Sequence, residues 1–202
     1  QAEWLPAIAS GDKIFTLAYL EPDSRYSPEA ARTVARKCGA DRYALNGRKS
    51  VVWHGAVVDM FLVSARLDGE LALFLVGGDA PGLTVKGYPT IDRLSAADLE
   101  LIDVPATLVT TNGIEAVEIG LDHGIAAQCA AAAGAIERLI EITVEYLSAR
   151  KQFGKPLASF QTLQHRVADM LLQQELALSM AYVAAQGLDA SDVAERRRKV
   201  SA

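Results

Sequence analysis

Hydrophobic and polar positions follow two different periods along the chain, and the change falls near residue 113. Before it, short and partly alternating apolar runs are separated by Gly, Asn and Asp, which is typical of β-strands joined by tight turns. After it, apolar residues recur every three or four positions, which is the period of an amphipathic helix. The pattern predicts an α+β protein with a β-domain over 1–112 and a helical domain over 113–202.

Two dipeptides in the first half predict hairpin turns. Asn46-Gly47 lies within DRYALNGRKSVVWH and Asp68-Gly69 within DMFLVSARLDGELALFLVGG. Both dipeptides readily supply the positive φ angles of two-residue turns. Prolines are expected only at strand ends and turns, because proline cannot donate a ladder hydrogen bond; this applies to Pro89 and Pro105. Short strands with such turns predict an antiparallel β-barrel or sandwich.

The second half predicts two long antiparallel helices and the start of a third, which together are most of a helical bundle. The first helix should end near RKQFGKP, because Gly154 and Pro156 interrupt the pattern. Ser159 is expected to cap the second helix, and Ser191 or Asp192 the third. The positions predicted to face the core are Leu121, Ile125, Cys129, Ala132, Ile136, Leu139, Ile140, Thr143, Val144 and Leu147, then Phe160, Leu163, Val167, Met170, Leu171, Leu176 and Met180.

Composition narrows the class of protein. The chain is 50% hydrophobic and 22% charged, which is typical of a globular protein, and its net charge of -5 argues against non-specific nucleic-acid binding. No run approaches the ~18 apolar residues of a membrane span, no signal peptide is visible, and two cysteines are too few for a disulfide framework. We expect a cytoplasmic protein. Because the chain starts at Gln1 without Met and ends inside the helix-like AERRRKVSA, we also expect a fragment truncated at both ends.

The sequence contains few motifs with a chemical function. It has no P-loop, GxGxxG or GxSxG, and its three histidines are isolated from Cys and Asp at ligand spacing, so no metal site is predicted. The remaining candidate is RKQFG, where Arg150 suits phosphate contacts, Gln152 offers a donor and an acceptor, and Phe153 can stack on a ring. The competing interpretation is a helix end where Arg150 and Lys151 compensate the dipole and Phe153 packs under the turn. The residues alone favour this second interpretation.

Four stretches, in order along nearly the whole chain, resemble successive segments of the acyl-CoA dehydrogenase family. LPAIASGDKIFTLAYLEP is similar to the entry of that family's middle β-domain, YALNGRKSVVWHGAVVDMFLVSAR to its hairpin and next strand, and AADLELIDVPATLV to its last strands. AGAIERLIEITVEYLSARKQFGKPLASFQTLQHRVADM resembles the junction of the first two C-terminal helices. The pattern R-x-Q-F-G-x-P-L-x-x-F-Q-x-x-Q is the most specific part of the resemblance.

The resemblance implies FAD bound between the subunits of a tetramer. The residues that match those gripping the FAD of a neighbouring subunit are Arg150, Gln152, Phe153, Phe160 and Gln161, and the positions facing the flavin ring are Leu20, Val51 and Trp53. In this family a Glu base removes the α-proton of an acyl-CoA, the β-hydrogen passes to flavin as hydride, and an electron-transfer flavoprotein takes the electrons. Asp122 matches an Asp on the helix that contributes to holding the CoA substrate.

The chain also departs from the family pattern. Leu20 occupies a position that is commonly Thr, and Val51 and Trp53 stand where the family usually has Trp and Thr, so a hydroxyl for the flavin is absent from both places. Ile125 replaces an Arg, and Gly124 stands where some members place the catalytic Glu. The commoner base position would lie beyond residue 202, so no catalytic base is predicted within this chain.

Three functions remain open at this point. The first is an FAD-dependent acyl-CoA dehydrogenase, and the loosened flavin-facing motif resembles branches of the family that act on bulky acyl-CoAs such as steroid side chains. The second is a non-catalytic partner subunit of a heteromeric acyl-CoA dehydrogenase, which completes the FAD site of another chain. The third is a helical oligomerisation module with a vestigial β-domain.

Overall fold

A computed structural model of the chain describes residues 4–24, 26–40 and 42–201. The chain divides into two compact units, Gln1–Glu118 and Ile119–Ala202. Residues 1 and 202, the outer ends of the two predicted domains, lie outside the described residues.

The first unit is a closed β-structure preceded by a short helix. Its elements are α1 (Trp4–Ser10), β1 (Phe15–Ala18), β2 (Val34–Lys37), β3 (Tyr43–Trp53), β4 (Met60–Leu67), β5 (Glu70–Gly77), β6 (Leu83–Pro89) and β7 (Ser95–Thr110). Among the described residues the seven strands form one sheet, in which β4, β2, β3, β7 and β5 pair successively and β5 pairs back with β4. This closure confirms the predicted barrel.

The sheet is mixed, whereas the sequence predicted antiparallel pairing throughout. β1 and β2 both run parallel to β4, with Phe15 opposite Met60 and Val34 opposite Arg66. The strands of each parallel pair are not consecutive in the chain, since β2 and β3 lie between β1 and β4, and this separation supplies the long connection that parallel pairing requires. The barrel interior is filled by side chains that include Leu45, Val52, Phe61, Val63, Phe74, Val76, Leu99, Leu101 and Val104.

Of the two predicted hairpin turns, Asp68-Gly69 is confirmed. It joins β4 to β5, with Leu67 opposite Glu70, and its two residues have φ angles of 52° and 93°. Positive φ at both central residues is what a type I′ hairpin turn needs.

The prediction of a turn at Asn46-Gly47 is wrong, because both residues lie inside β3. Asn46 pairs with Val34 of β2, and the register with β7 shifts between Leu45 and Gly47. A Cβ on Gly47 would lie 2.5 Å from Thr33 Oγ1 and 2.7 Å from Thr33 Cα. The glycine therefore permits close approach of two strands at a bulge.

The expected position of Pro105 is also wrong. It lies inside β7, opposite Ala44 of β3, and not at a strand end or a turn. Asp103, two residues earlier, has a φ of 51°, so the strand is already irregular there. Sheets tolerate proline at such irregularities.

The helical part begins with α2 (Gly113–Ala149), which crosses into the second unit. It continues with β8 (Lys151–Gln152), β9 (Lys155–Pro156), α3 (Gln161–Gly187) and α4 (Val193–Val200). The predicted cap at Asp192 is confirmed, since its Oδ1 accepts a hydrogen bond from Ala194 N at 3.1 Å. The predicted cap at Ser159 is wrong: its Oγ donates to Pro156 O inside a 3₁₀ turn, and α3 starts one residue later, after Phe160.

The helices bury narrower stripes than the sequence predicted. The inward positions of α3 follow Leu163, Val167, Met170, Gln174, Ala181 and Ala184, and those of α2 include Asp122, Ala126, Ala133 and Leu147. The predicted core positions Ile125, Ala132, Leu139, Val144, Leu171, Leu176 and Met180 are instead exposed in this chain. Among these, Leu139 is 58% and Leu176 54% exposed. The inward stripes thus combine small and polar residues with Leu147, Leu163, Val167 and Met170, while other large apolar side chains remain outside.

Candidate functional site

The RKQFG motif folds into a tight hairpin between α2 and α3. Lys151 pairs with Pro156 and Gln152 with Lys155, while Phe153 and Gly154 form the tip with φ angles of 53° and 80°. The hairpin is closed by a hydrogen bond from Leu157 N to Arg150 O at 2.9 Å. Gly154 adopts this conformation without penalty, whereas Phe153 does so against its intrinsic preference.

This hairpin, with the start of α3, exposes aromatic and cationic groups together. The Phe153 ring is 88% exposed, so it does not pack under the turn. Its centroid lies 6.1 Å from that of Phe160, edge to face, and Lys155 Nζ lies 4.3 Å from the Phe160 centroid. The Arg150 side chain is exposed, and within 4–24, 26–40 and 42–201 it has no ion-pair partner. We call Arg150, Gln152, Phe153, Phe160 and Gln161 the aromatic corner.

The two amides of the aromatic corner are also accessible. Gln152 donates one hydrogen bond from Nε2 to Lys151 O at 3.0 Å, which leaves its carbonyl available. Gln161 is exposed as the first residue of α3. The corner thus offers a guanidinium, two amides and two rings, which can bind a ligand that has both phosphates and an aromatic ring system.

The three residues predicted to face the flavin lie in the first unit, Gln1–Glu118, which we call the β-unit. Val51 and Trp53 are 41% and 46% exposed, and Leu20 is half-buried. Ser50 N donates to Leu20 O at 3.0 Å, which joins the segment after β1 to the end of β3. The three side chains form an apolar set, named here the β-platform.

Val51 has an unusual backbone conformation. Its φ is 52°, and the register of β3 against β7 shifts between Lys49 and Val52. A β-branched residue at positive φ is strained, and such strain concentrates at functional sites. Val51 N donates to Asp98 Oδ1 at 3.2 Å, so the side chain of β7 satisfies the backbone group that the bulge leaves unpaired.

Directly beside the β-platform lies a buried ionic cluster that sequence reasoning missed. Lys49 Nζ is 2.7 Å from Glu21 Oε1 and 3.0 Å from Ser64 Oγ, and the lysine side chain is fully buried. The Glu21 carboxylate also accepts hydrogen bonds from the backbone N of Arg32 at 2.6 Å and of Thr33 at 3.1 Å. In the sequence, Glu21 stands in the LEP stretch that resembles the family, but no local pattern marks Lys49 as its partner.

Burial and charge act against each other in this cluster. Burial lowers the pKa of Lys49 to about 8, although the Glu21 carboxylate favours the charged form. Burial opposes ionisation of Glu21, but the Lys49 charge and the hydrogen bonds from Lys49, Thr33 and Arg32 together hold its pKa below the usual value. Each charge is therefore tolerated in the interior because of the other.

Asp122, the residue predicted to bind substrate, is buried in an ion pair. Its Oδ2 lies 2.6 Å from Arg196 Nε of α4, and both side chains are at most 10% exposed. Arg196 Nη2 is buried without a hydrogen-bond partner among the described residues. Ile125 is 44% exposed, and a Cβ at Gly124 would meet nothing within 4 Å. Within this chain the Asp122 charge is thus already compensated.

Two family models match the chain over most of its length. "Acyl-CoA dehydrogenase, middle domain" covers residues 16–104, and "Acyl-CoA dehydrogenase, C-terminal domain" covers residues 111–202. The chain belongs to the acyl-CoA dehydrogenase family.

Curated relatives agree with this assignment. The chain is 33% identical over 171 residues to acyl-CoA dehydrogenase FadE27 of Mycobacterium tuberculosis, a match that covers 84% of the chain and 44% of the relative. It is 29% identical over 196 residues to the short-chain specific acyl-CoA dehydrogenase of Megasphaera elsdenii, covering 91% and 51%. The chain spans about half the length of the curated relatives it matches.

Solved structures show the same fold. Glutaryl-CoA dehydrogenase from Mycobacterium smegmatis has a TM-score of 0.88 and 28% identity, with 99% of this chain and 53% of that chain covered. A glutaryl-CoA dehydrogenase of that organism in complex with FADH2 has a TM-score of 0.82, 28% identity and the same coverage. The steroid ACAD Tcur3481-Tcur3483 has a TM-score of 0.84 and 31% identity, covering 98% and 53%.

Proposed function

We propose that this chain is part of an FAD-dependent acyl-CoA dehydrogenase, which introduces an α,β double bond into an acyl-CoA thioester. The observation that carries the proposal is the aromatic corner, where an 88% exposed Phe153 ring lies in a short hairpin beside the exposed Arg150 guanidinium. Exposing a large ring at a strained turn costs free energy, and binding of a cofactor there would offset that cost.

The donor set of this chain fits FAD. Arg150 would hold the pyrophosphate through paired N–H donors, Gln152 and Gln161 would bind polar edges, and the rings would contact the aromatic parts. On the β-unit, Leu20, Val51 and Trp53 would form the apolar surface that excludes water from the flavin ring. When bound, FAD supplies the hydride acceptor. Since Gly124 has no side chain to act as a base, we assign no catalytic base within residues 1–202.

The proposed partners follow from the family and from two neighbouring structures. We infer that the substrate is an acyl-CoA, that an electron-transfer flavoprotein accepts the electrons, and that the subunits form a homo- or hetero-tetramer in which the aromatic corner grips the FAD of a neighbouring subunit. The glutaryl-CoA dehydrogenase complex with FADH2 supports the cofactor. The steroid ACAD supports a bulky substrate.

The test uses the full-length protein that contains this chain. We expect a yellow protein with one FAD per active site, whose visible absorption bleaches anaerobically on addition of a suitable acyl-CoA. In Arg150→Ala we expect loss of FAD or weakened subunit association, with the β-unit still folded. The matched control is Arg138→Ala on α2, the helix that ends directly before Arg150; it breaks an exposed ion pair with Glu141 and should retain the flavin.

The contradicting results are specific. Unchanged flavin content in Arg150→Ala would overturn the role of the aromatic corner. A full-length protein that contains no flavin and takes up none from added FAD would overturn the proposed function itself.

A second candidate function is the non-catalytic partner subunit. It is favoured by the apolar β-platform, which has no hydroxyl for the flavin, and by Gly124 and Ile125 on α2. This candidate predicts that stoichiometric FAD binds only when a second, related chain is co-expressed, whereas the first predicts FAD binding by this protein alone.

A further inference from the structure

We propose that the buried pair of Glu21 and Lys49 is the positioning element of the β-platform, holding Leu20, Val51 and Trp53 in the arrangement that receives the flavin. The inference deepens the proposed function and rests on it. Neither residue is proposed to touch the flavin or to take part in proton transfer.

The ion pair joins the two segments that carry the β-platform. Glu21 follows Leu20 directly, and Lys49 lies just before the bulge that contains Val51. The two segments of the β-platform are far apart in sequence, and the ion pair joins them at 2.7 Å. A second link runs in parallel, since Ser50 N donates to Leu20 O at 3.0 Å. The separation of the two segments is thus fixed by two bonds.

Further hydrogen bonds connect Glu21 and Lys49 to other segments of the barrel. The Glu21 carboxylate gathers the backbone N–H groups of Arg32 and Thr33, which close the loop between β1 and β2. Ser64 of β4 accepts a hydrogen bond from Lys49 on the opposite side. One carboxylate and one ammonium therefore connect β3, β4 and the loop between β1 and β2, and removal of either charge leaves the other buried and unpaired.

The ion pair also helps to hold Val51 in its strained backbone conformation. A β-branched residue with a φ of 52° persists only where surrounding contacts determine its backbone. Those contacts are the anchored Lys49 on one side and the hydrogen bond to Asp98 on the other. Release of Lys49 would let the bulge relax toward regular strand geometry, which would re-aim the Val51 side chain.

The experiment compares Lys49→Met with Arg48→Met in the full-length protein. Both substitutions remove a cation from adjacent positions of β3, but Arg48 is 73% exposed and pairs at the surface with Glu100. We expect Lys49→Met to raise the Kd for FAD at least tenfold and to alter the visible spectrum of the remaining bound flavin. Arg48→Met should change neither. Titrations are done at a temperature where urea unfolding shows each variant to be fully folded.

A second readout does not depend on FAD. With every tryptophan except Trp53 replaced by Phe, acrylamide quenching of the apoprotein reports the exposure of the β-platform. We expect quenching of Trp53 to change in Lys49→Met and to stay constant in Arg48→Met. If Lys49→Met does not fold, the variant Ser64→Ala is used in its place. Ser64→Ala removes one hydrogen bond to Lys49 and keeps the ion pair with Glu21. We then expect a smaller rise in the Kd for FAD, about fivefold.

The outcomes separate the two proposals. A folded Lys49→Met variant with the FAD affinity, flavin spectrum and Trp53 quenching of the unsubstituted protein would overturn the positioning role, as would an unaltered Kd in Ser64→Ala when that variant is used. Absence of FAD binding from the unsubstituted protein would instead overturn the proposed function, and this inference with it.

Discussion

At the scale of single residues, the buried ion pair of Asp122 and Arg196 determines what a substitution at either position does. Asp122→Asn would leave the Arg196 guanidinium buried without a counter-charge, and breaking a buried pair in this way costs about 3–5 kcal/mol. We expect faster amide hydrogen exchange in α4 and in the facing part of α2 of the full-length protein. Breaking the exposed Arg166–Asp169 pair with Asp169→Asn is the control and should leave α4 protection unchanged.

A double variant that replaces both members of the ion pair tests the predicted role of Asp122 in substrate binding. If Asp122 contacts the acyl-CoA, Asp122→Leu/Arg196→Met should weaken substrate binding even where the apolar replacement restores α4 protection. If its role is structural, that double variant should bind acyl-CoA like the unsubstituted protein. Unaltered exchange in Asp122→Asn would contradict the structural role.

The ionisation of Glu21 should make the stability of the folded protein depend on pH. The folded state holds the pKa of Glu21 below its ordinary value of 4.5, so between the two values the unfolded chain binds more protons. The stability contributed by Glu21 is complete above pH 4.5 and is lost as pH falls through the folded pKa. We therefore expect the unfolding temperatures of the unsubstituted protein and Glu21→Gln to differ most near neutral pH and to converge in acid. A difference that stays constant with pH would contradict this linkage.

At the scale of elements, two substitutions in the β8–β9 hairpin test separately the contribution of the Phe153 ring and that of the turn conformation. Phe153→Asn keeps a residue that tolerates positive φ but removes the ring, so it should preserve the hairpin and weaken FAD binding. Gly154→Ala keeps the ring but places a Cβ at a φ of 80°, at a cost of about 1–2 kcal/mol. Equilibrium FAD titration and hydrogen exchange of residues 151–156 measure the two effects. Full FAD affinity in Phe153→Asn would show that the ring has no binding role.

The bulge at Gly47 gives a prediction for the barrel. In Gly47→Ala the new Cβ would meet backbone and side-chain atoms of Thr33 below 3 Å, so β2 must move away from β3. We expect a loss of about 1–3 kcal/mol in the free energy of unfolding, as for other overpacked sites. Gly69→Ala is the comparison, since its Cβ would meet nothing within 4 Å and only the backbone cost remains. Equal effects in urea unfolding would contradict the steric explanation.

The two dipeptides show what the sequence could and could not predict at this scale. Asp68-Gly69 and Asn46-Gly47 have the same local turn preference, and only the first forms a turn. The difference is a tertiary contact, because Thr33 of the preceding segment lies against Gly47. In the same way, helical spacing predicted α2 and α3, but it could not indicate that Ala133, Gln174 and Ala181 would be buried while Leu176 stays outside.

The site was predictable to a similar extent. The resemblance to the family indicated the aromatic corner, whose residues lie close together in sequence, and it indicated each of the two separate segments of the β-platform as a match of its own. The Glu21–Lys49 and Asp122–Arg196 pairs join positions far apart along the chain, and neither lysine nor arginine is expected in an interior. Only the fold brings such partners together.

At the scale of the whole molecule, large apolar side chains remain exposed on the helical unit. One stripe on α3 consists of Leu172, Leu176, Met180 and Val183, and one on α2 consists of Leu139, Ile142 and Tyr146; all are at least 37% exposed. Successive members are three or four positions apart, so each stripe is continuous on its helix. Within the described residues, no helix has both the length and the apolar character needed to cross a bilayer.

These stripes predict self-association of the isolated 202-residue chain. We expect its sedimentation coefficient to rise with protein concentration, because exposed apolar area of this kind favours burial between copies. Replacing Leu172 and Leu176 with Lys should lower the association, whereas replacing Tyr26, an exposed residue of the β-unit outside both stripes, should not. Concentration-independent sedimentation of the unsubstituted chain would contradict the prediction.

The hairpin of the aromatic corner is a local unit that could be exchanged between related proteins. The hydrogen bonds that close its hairpin join residues 150–157, from the Leu157–Arg150 closure to the pairing of β8 with β9. At the junctions the segment is bonded to near neighbours in sequence, through Arg150 N to Tyr146 O at 2.9 Å and Gln164 Nε2 to Ala158 O at 2.8 Å, so we expect that it can be exchanged as a block. Transfer of residues 150–161 between relatives with different cofactor affinities would then carry the affinity with the block and leave the recipient's barrel unaltered.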